Sequence, residues 1–216
     1  MTLAPQLAAV LENFEKNAPD AIKQPILRAK EDFSQAFDTS KSIQPGYPLP
    51  PFRLSNAIAE EISSADLLSK GPLLITFYRG EWCPFCNLAV AAFQKHLDDF
   101  TARGVTLVAI SPELPNESLS MSRKHQLGFH VLSDKGNVYA GQLGLIHAQS
   151  DSLRPVFEKM GHDLLKRNGD DSFVVPVPAT LLVDQKGIVK NMFINPDYTK
   201  RCEPEVVLEW IDALEA

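Results

Sequence analysis

The chain has 216 residues, a formal net charge of −6 and 44% hydrophobic residues, a balance typical of a globular protein with one main core. The negative charge and the lack of a basic cluster argue against a nucleic-acid partner. No apolar run approaches the roughly 20 residues of a membrane helix, and the N-terminal stretch lacks the pattern of a signal peptide. Three cysteines, two of them in one close pair, suit a reducing compartment. We therefore expect a cytoplasmic protein with no membrane partner.

Residues 1–45 are predicted to form a helical extension and a linker. Apolar residues recur at helical spacing from Leu3 to Phe14 and again from Ile22 to Phe37, which predicts two amphipathic helices. Prolines and glycines then mark an extended linker. We expect the helices to be packing elements that dock on the main domain, residues 46–216, or on another subunit.

A buried strand and a pair of cysteines follow each other in residues 73–86. The run from Leu73 to Tyr78 is almost continuously apolar, as in a strand covered on both faces. Cys83 and Cys86 come next, at the start of a helical pattern with Pro84 in its first turn. Unpaired N–H groups and the helix dipole favour a thiolate at such a position. The pair therefore indicates redox chemistry.

The Cys-x-x-Cys pair has three other interpretations. Two of them, structural zinc and inert structural thiols, are less favoured. A structural zinc site needs about four ligands, whereas the only other cysteine is Cys202 and the histidines are scattered. A Cu(I) delivery site would use soft thiolates together with a nearby Met or His, and none lies in the motif. We predict no metal and no cofactor.

The rest of the chain is predicted to alternate between strands and helices, with one surface insertion. The βαβ unit around the cysteines should have a right-handed crossover. A hairpin with a Gly-containing turn is expected near the end, before an amphipathic helix. The predicted elements are a helix ending near Gly104, strands at 105–110 and 129–134, a short helix at 136–143, an insertion at 146–171, hairpin runs at 173–184 and 188–194, and a helix from Glu203 to Leu214.

This order of elements resembles the thioredoxin fold, an α/β fold with a central mixed sheet flanked by helices. More narrowly, residues 46–216 resemble the peroxiredoxin-like branch of the alkyl hydroperoxide reductase and thiol-specific antioxidant (AhpC/TSA) family. The matching stretches are Phe77–Cys86, Ile110–Glu113, Leu132–Asp134 and Val177–Thr180 with Asp184 and Gly187. The resemblance implies an antioxidant thiol oxidoreductase that reduces peroxides through a Cys83–Cys86 disulfide. It also implies a thiol electron donor such as thioredoxin or glutathione, and leaves room for a homodimer.

The motif departs from that of typical peroxiredoxins. Their Pro-x-x-x-Thr-x-x-Cys signature would place proline at Arg79 and threonine at Cys83, and their later arginine falls at Pro178. The segment Trp82–Cys86 is instead similar to the reductase motif of thioredoxins, which implies a cis Val177–Pro178 peptide facing the sulfurs. Phe77 stands where thioredoxins carry a buried aspartate. Protein disulfide reduction with little peroxidase activity is therefore the alternative function.

The roles of the two cysteines stay open at this point. In the thioredoxin register Cys83, expected nearer the exposed edge of the helix, attacks and Cys86 resolves. In the peroxiredoxin register Cys86 meets peroxide first and Cys83 resolves. Cys202 either resolves across a subunit interface or is a passive thiol.

Supporting roles are assigned to the residues around the pair. Arg79 and Glu81 are candidates for tuning the thiolate, with solvated loop charges as the equal alternative. Trp82 is expected to pack beside the disulfide and shield it. Pro84 starts the helix, and Pro178 is expected to bind an extended partner backbone opposite the sulfurs.

Overall fold

A computed structural model describes residues 2–214 of the chain, so the predicted domain end at residue 216 lies outside the described residues. The strands are β1 (Arg53–Asn56), β2 (Glu61–Ser63), β3 (Leu73–Phe77), β4 (Thr106–Ser111), β5 (His130–Ser133), β6 (Ile146–Ala148), β7 (Val174–Pro176), β8 (Ala179–Val183) and β9 (Val189–Ile194). The helices are α1 (Leu3–Asn17), α2 (Asp20–Ala36), α3 (Ser64–Leu68), α4 (Pro84–Lys95), α5 (Leu97–Ala102), α6 (Pro115–His125), α7 (Val138–Gln142), α8 (Arg154–Lys159), α9 (Leu164–Asn168) and α10 (Pro204–Asp212).

Seven strands form one mixed sheet in the order β2-β1-β5-β4-β3-β8-β9. Strands β3, β4 and β5 run parallel, while β1, β8 and β9 join them in antiparallel pairs. Every residue of β3 is buried, which explains its uninterrupted apolar sequence. The cysteine motif follows β3 directly, so the fold places it at the carboxyl end of the central parallel strands, where open α/β sheets carry their sites.

The helix after the motif is interrupted, in contrast to the single helix predicted to run to Gly104. His96 has φ −104° and ψ 10°, and it separates α4 from α5. Its Nδ1 lies 3.2 Å from the Asp99 carboxylate in the first turn of α5. The apolar stripe continues through the break, because Phe93 and Phe100 pack in one cluster, so periodicity alone does not reveal it.

The run 173–184 is also divided, although it was predicted to be one arm of a hairpin. Strand β7 pairs with β6 in a separate two-stranded ribbon, and only β8 joins the main sheet. Two prolines, Pro176 and Pro178, lack the N–H that a central strand would donate, so the chain changes sheet there. The predicted hairpin between β8 and β9 is confirmed.

The N-terminal helices dock on the main domain. Leu3 and Leu7 of α1 are buried in the cluster that contains both motif cysteines. The first N–H groups of α1, at Leu3 and Ala4, donate to the Glu203 carboxylate at 2.8 and 2.6 Å. This remote carboxylate satisfies donors that the helix itself cannot pair. Across residues 2–214, no helix is both long and apolar enough to cross a membrane.

Residues 146–171 do not form the surface insertion predicted from their polarity. Leu153, Phe157 and Leu164 are buried in a cluster with Phe173, and the Trp82 ring packs against them. The ring of Phe157 meets that of Trp82 edge-on at 5.2 Å. Most polar residues of this segment are exposed, while Leu153, Phe157 and Leu164 pack inward against Trp82, which average polarity could not show.

Candidate active site

The two cysteines lie at the beginning of α4. Cys83 is the N-cap residue of the helix, Pro84 is its first residue, and Cys86 is two residues further along. Proline suits this position because its missing N–H would be unpaired there in any case. Both thiols are free, and their side chains are 1% and 0% exposed. Neither thiol therefore lies at an exposed edge of the helix, and of the two only Cys83 borders a cavity.

Cys86 is surrounded by groups that favour its thiolate. Its Sγ accepts from the backbone N–H of Arg79 at 3.5 Å and from Nη2 of Arg201 at 3.4 Å. Burial by itself raises the pKa of Cys86, but the Cys83 thiol and the charges of Arg201 and Arg79 outweigh it and lower that pKa to about 5. A sulfur that is shielded from water is therefore held as a thiolate near neutral pH.

In contrast to Cys86, Cys83 favours the protonated thiol. Burial raises the pKa of its thiol well above the usual value, and the adjacent Cys86 sulfur raises it further. Cys83 thus stays protonated while it donates to Cys86. One thiolate beside one thiol is the protonation state that an attacking sulfur and a resolving sulfur require.

Arg79 is buried rather than a solvated loop charge. Its guanidinium lies over two aromatic rings, 4.7 Å from the centroid of Trp82 and 4.2 Å from that of Tyr198. The side chain is 6% exposed. Arg79 therefore brings a fixed positive charge to the sulfurs, and Trp82 packs beside it as a wall of the site.

Glu81 points away from the sulfurs. Its carboxylate pairs with Lys124 at 2.6 Å and with Arg167 at 3.4 Å. The buried carboxyl of Glu113 accepts from the Glu81 N–H at 2.8 Å, and Asn87 donates to the Glu81 carbonyl at 2.6 Å. Glu81 therefore anchors the loop before Cys83 through its backbone, while its charge is taken up by the two cations.

Glu113 is an unusual group in this loop because it is 0% exposed. Burial raises its pKa to about 7, although the Glu81 N–H and the Arg167 charge act in the opposite direction. Arg167 bridges Glu81, Glu113 and Glu117. Because Arg167 belongs to α9, this cluster ties the covering segment to the cysteine motif.

A cavity of about 100 Å³ opens onto the motif, lined mainly by apolar and aromatic side chains. Cys83 and Arg79 lie in its wall, and so does Pro178. The Val177–Pro178 peptide is trans, as are the other peptide bonds of residues 2–214, so the cis peptide implied by the thioredoxin resemblance is wrong. Pro178 nonetheless lies on the cavity beside Cys83.

Cys202 belongs to a different part of the core. It packs with Leu74, Phe93 and Val207 in a cluster separate from the one that holds the motif. Its side chain is 2% exposed, and burial raises its pKa to about 12. A neutral, enclosed thiol does not suit the role of a resolving cysteine across a subunit interface. Within residues 2–214, no three His, Cys, Asp or Glu side chains are grouped to hold a metal ion.

Four residues of this site were missed from the sequence: Arg201, Tyr198, Glu113 and Arg167. Arg201 and Tyr198 come from the connection between β9 and α10, which packs against the motif only in the folded chain. For Glu113 a signal was available, because the stretch Ile110–Glu113 is among those that resemble the AhpC/TSA family.

The sequence of this chain matches a protein-family model and several known proteins. A sequence model of the AhpC/TSA family matches residues 45–192. A protein of Buchnera aphidicola named putative peroxiredoxin bcp is 32% identical over 104 residues, which are 48% of this chain and 65% of that protein. Peroxiredoxin Bcp of Escherichia coli is 23% identical over 75% of this chain and 91% of its own length. The chain thus spans slightly less than two thirds of the Buchnera relative.

Solved structures share the fold. The crystal structure of peroxidoxin BcpB from Mycobacterium tuberculosis aligns with a TM-score of 0.64, covering 81% of this chain and 99% of the other at 17% identity. The peroxiredoxin 6 structure from Arenicola marina aligns with a TM-score of 0.65, covering 80% and 74% at 16% identity. The chain therefore has the thioredoxin-like fold and belongs to the AhpC/TSA family.

Proposed function

We propose that this protein is a thiol peroxidase in which Cys86 attacks the peroxide and Cys83 resolves the product. The observation that carries the proposal is the contact of Cys86 Sγ with Arg201 and with the Arg79 N–H. A thiolate is the nucleophile in such chemistry, and these groups hold Cys86 in that form. Membership of the AhpC/TSA family supports the same reaction.

The first step transfers one oxygen atom. The Cys86 thiolate attacks the terminal oxygen of a hydroperoxide, the S–O bond forms and the O–O bond breaks. A proton goes to the departing alkoxide, so the products are Cys86 sulfenic acid and an alcohol, or water when the substrate is hydrogen peroxide. The fixed charge of Arg201, whose Nη2 lies 3.4 Å from Cys86 Sγ, stabilises the negative charge that develops on the departing oxygen.

The second step closes the catalytic disulfide. The Cys83 thiol attacks the sulfenic sulfur, water leaves, and a Cys83–Cys86 disulfide forms. Two equivalents of a thiol donor then reduce the disulfide and are themselves oxidised to a disulfide. The donor is a thiol such as thioredoxin or glutathione. Three free cysteines fit the cytoplasm, where thiols stay reduced.

Protein disulfide reduction remains the alternative function. A thioredoxin-type reductase presents its attacking sulfur to an extended partner backbone, whereas Cys83 is 1% exposed here and packs in one cluster with Leu3 and Leu7 of α1. The raised pKa of Cys83 also keeps it from being the attacking thiolate in this state. Both features favour a small peroxide over a folded protein as the substrate.

The test compares single cysteine variants of the reduced protein under stoichiometric hydrogen peroxide. Cys86→Ser should lose rapid peroxide consumption by at least about a hundredfold, because the thiolate is absent. Cys83→Ser should consume one equivalent quickly and then stop as a sulfenic acid. Mass spectrometry distinguishes that product from a disulfide. Cys202→Ser, a variant of the third buried cysteine, should behave as the wild type.

If the roles of Cys83 and Cys86 are exchanged, the variants should give a different result. If Cys83→Ser abolishes the fast step and Cys86→Ser keeps it, Cys83 is the attacking cysteine and the proposed roles are reversed. If wild-type thiols react no faster than a free thiol of the same pKa, the protein is not a peroxidase. Reduction of a model protein disulfide then becomes the activity to measure.

A further inference from the structure

Part of the wall of the cavity over the motif lies outside the family match, which covers residues 45–192. Helices α1 and α2 precede residue 45, where that match begins, and they contribute apolar side chains to the lining. Tryptophan, phenylalanine and methionine from the motif and from 146–171 complete the wall. Representative lining residues are Phe14, Leu27, Phe33, Trp82, Phe157 and Met160. The N-terminal extension of this chain therefore contributes one side of an apolar chamber.

One full positive charge lies in that wall without a carboxylate partner. Arg79 lines the chamber and is only 6% exposed. Within residues 2–214, it forms no ion pair with an acidic side chain. Its neighbours are the rings of Trp82 and Tyr198. A buried cation that lacks a counter-ion is costly, and an anion of the right shape would remove the cost.

The charges around the sulfurs do not cancel. Arg79 and Arg201 supply two positive charges, and the Cys86 thiolate supplies one negative charge. Arg201 makes a side-chain contact with Cys86 Sγ, at 3.4 Å. The Arg79 guanidinium is therefore left as the excess charge of the site, facing the chamber.

The other polar groups of the chamber wall do not offset this charge. Lys30 is already paired with Asp197 at 2.9 Å. Burial and the charge of Arg79 lower the pKa of His147 to about 4, and burial with nearby arginines lowers that of His162. Both histidines are therefore neutral at pH 7. The chamber combines an apolar lining with one net cation at the sulfurs.

We propose that the chamber binds a compact apolar hydroperoxide that also carries a carboxylate, with the carboxylate paired to Arg79 and the apolar body against the aromatic wall. The inference rests on the proposed peroxidase function and names its substrate class. A volume of about 100 Å³ is smaller than the roughly 150 Å³ of an apolar cavity that holds benzene, so a ligand with one ring is only partly enclosed and extends through the opening of the chamber. A guanidinium recognises a carboxylate through two parallel hydrogen bonds.

Binding is tested first with unreactive ligands, so that the result does not depend on catalysis. The anion 4-isopropylbenzoate and the neutral 4-isopropylbenzamide have nearly the same shape and differ in charge. Calorimetry or quenching of tryptophan fluorescence gives both affinities for the reduced wild-type protein. The carboxylate should bind about tenfold or more tightly than the amide, as expected for a charge-assisted pair in an apolar site.

Two arginine variants test whether Arg79 causes the preference for the carboxylate over the amide. Arg79→Gln should bind both ligands with equal affinity. Arg154→Gln is the matched control, because Arg154 also lies over an aromatic ring, 4.5 Å from the centroid of Phe173, but is not part of the chamber lining. This variant should keep the wild-type preference for the carboxylate. Equal binding of the two ligands by the wild type, or binding of neither, would overturn the proposal.

Turnover then separates this inference from the proposed function. The two substrates are cumene hydroperoxide and its para-carboxylate, and kcat/KM should favour the carboxylate by about tenfold, a difference that Arg79→Gln should abolish. If the benzoate binds selectively but neither hydroperoxide is consumed, the anion site stands and the peroxidase proposal fails. If both are consumed at equal rates, the peroxidase stands and the substrate class is wrong.

Discussion

At the scale of single residues, the thiolate depends on a partner that is remote in sequence. Arg201 lies 115 positions after Cys86, and its Nη2 is 3.4 Å from the sulfur. The sequence correctly placed the cysteine pair at a helix N-terminus, because helix position and local spacing are properties of a short segment. The choice between the two cysteines could not be made there, since it depends on charges brought by folding.

The effect of Arg201 on the thiolate can be measured directly. Arg201→Met should raise the pKa of Cys86 above the value of about 5 by about 1 to 2 units, because one of the two cations that favour the thiolate is lost. The pH dependence of alkylation, or of thiolate ultraviolet absorbance, reports the midpoint. Lys200→Met removes the adjacent exposed cation and should leave the midpoint unchanged. A fixed midpoint in Arg201→Met would show that the helix and Arg79 are sufficient.

Glu113 makes stability depend on pH. Its folded-state pKa of about 7 lies above the ordinary 4.5, so the folded protein binds the extra proton between these values. The stability from this group is complete below about pH 4.5 and is lost as pH rises through about 7. Relative to the wild type, Glu113→Gln should therefore gain stability from pH 5 to pH 8, by up to about 3 kcal/mol.

Chemical denaturation at a series of pH values tests this. The glutamine keeps a carbonyl that can accept the Glu81 N–H, so the variant removes the charge rather than the hydrogen bond. Glu158→Gln changes an exposed glutamate and should reproduce the wild-type slope. A Glu113→Gln protein whose stability changes with pH as the wild type does would mean that Glu113 is not the titrating group.

At the scale of elements, the apolar pattern of the sequence predicted which segments are buried better than it predicted where each element begins and ends. The buried strands β3 and β4, the β8–β9 hairpin and the two N-terminal helices follow from runs of apolar residues with strand or helix spacing. The break at His96 and the transfer of β7 to another sheet do not, because the same apolar residues remain buried on either side. Local periodicity identifies which residues are inside and leaves open which neighbour covers them.

Helix α1 is expected to stabilise the domain that it covers. Leu7 is 4% exposed and packs in the cluster of Cys83 and Cys86. Leu7→Ala should reduce the free energy of unfolding by roughly 2–4 kcal/mol, measured by urea denaturation. Glu12→Ala, an exposed position on the same helix, should change it by less than about 0.5 kcal/mol. Equal, small effects would indicate that α1 is only loosely attached.

At the scale of the whole molecule, the active site is assembled from distant parts of the chain. The N-terminal helices, the motif, the 146–171 segment and the connection before α10 all meet around the chamber. The polar composition of 146–171 concealed its role, because a covering segment needs only a few apolar residues on its inner face. The predicted division at residues 45 and 46 stays a prediction, and α1 and α2 are packed tightly against the remainder.

The sequence alone determined the fold class, the order of the main strands and the position of the cysteine pair at the start of a helix. These depend on hydrophobic spacing and on a motif of neighbouring residues. Tertiary structure decided which sulfur is the thiolate, which charges act on it and what encloses it. Those properties arise from desolvation and from charges a few ångströms away. Both are set by which remote segments the fold brings to the carboxyl end of β3.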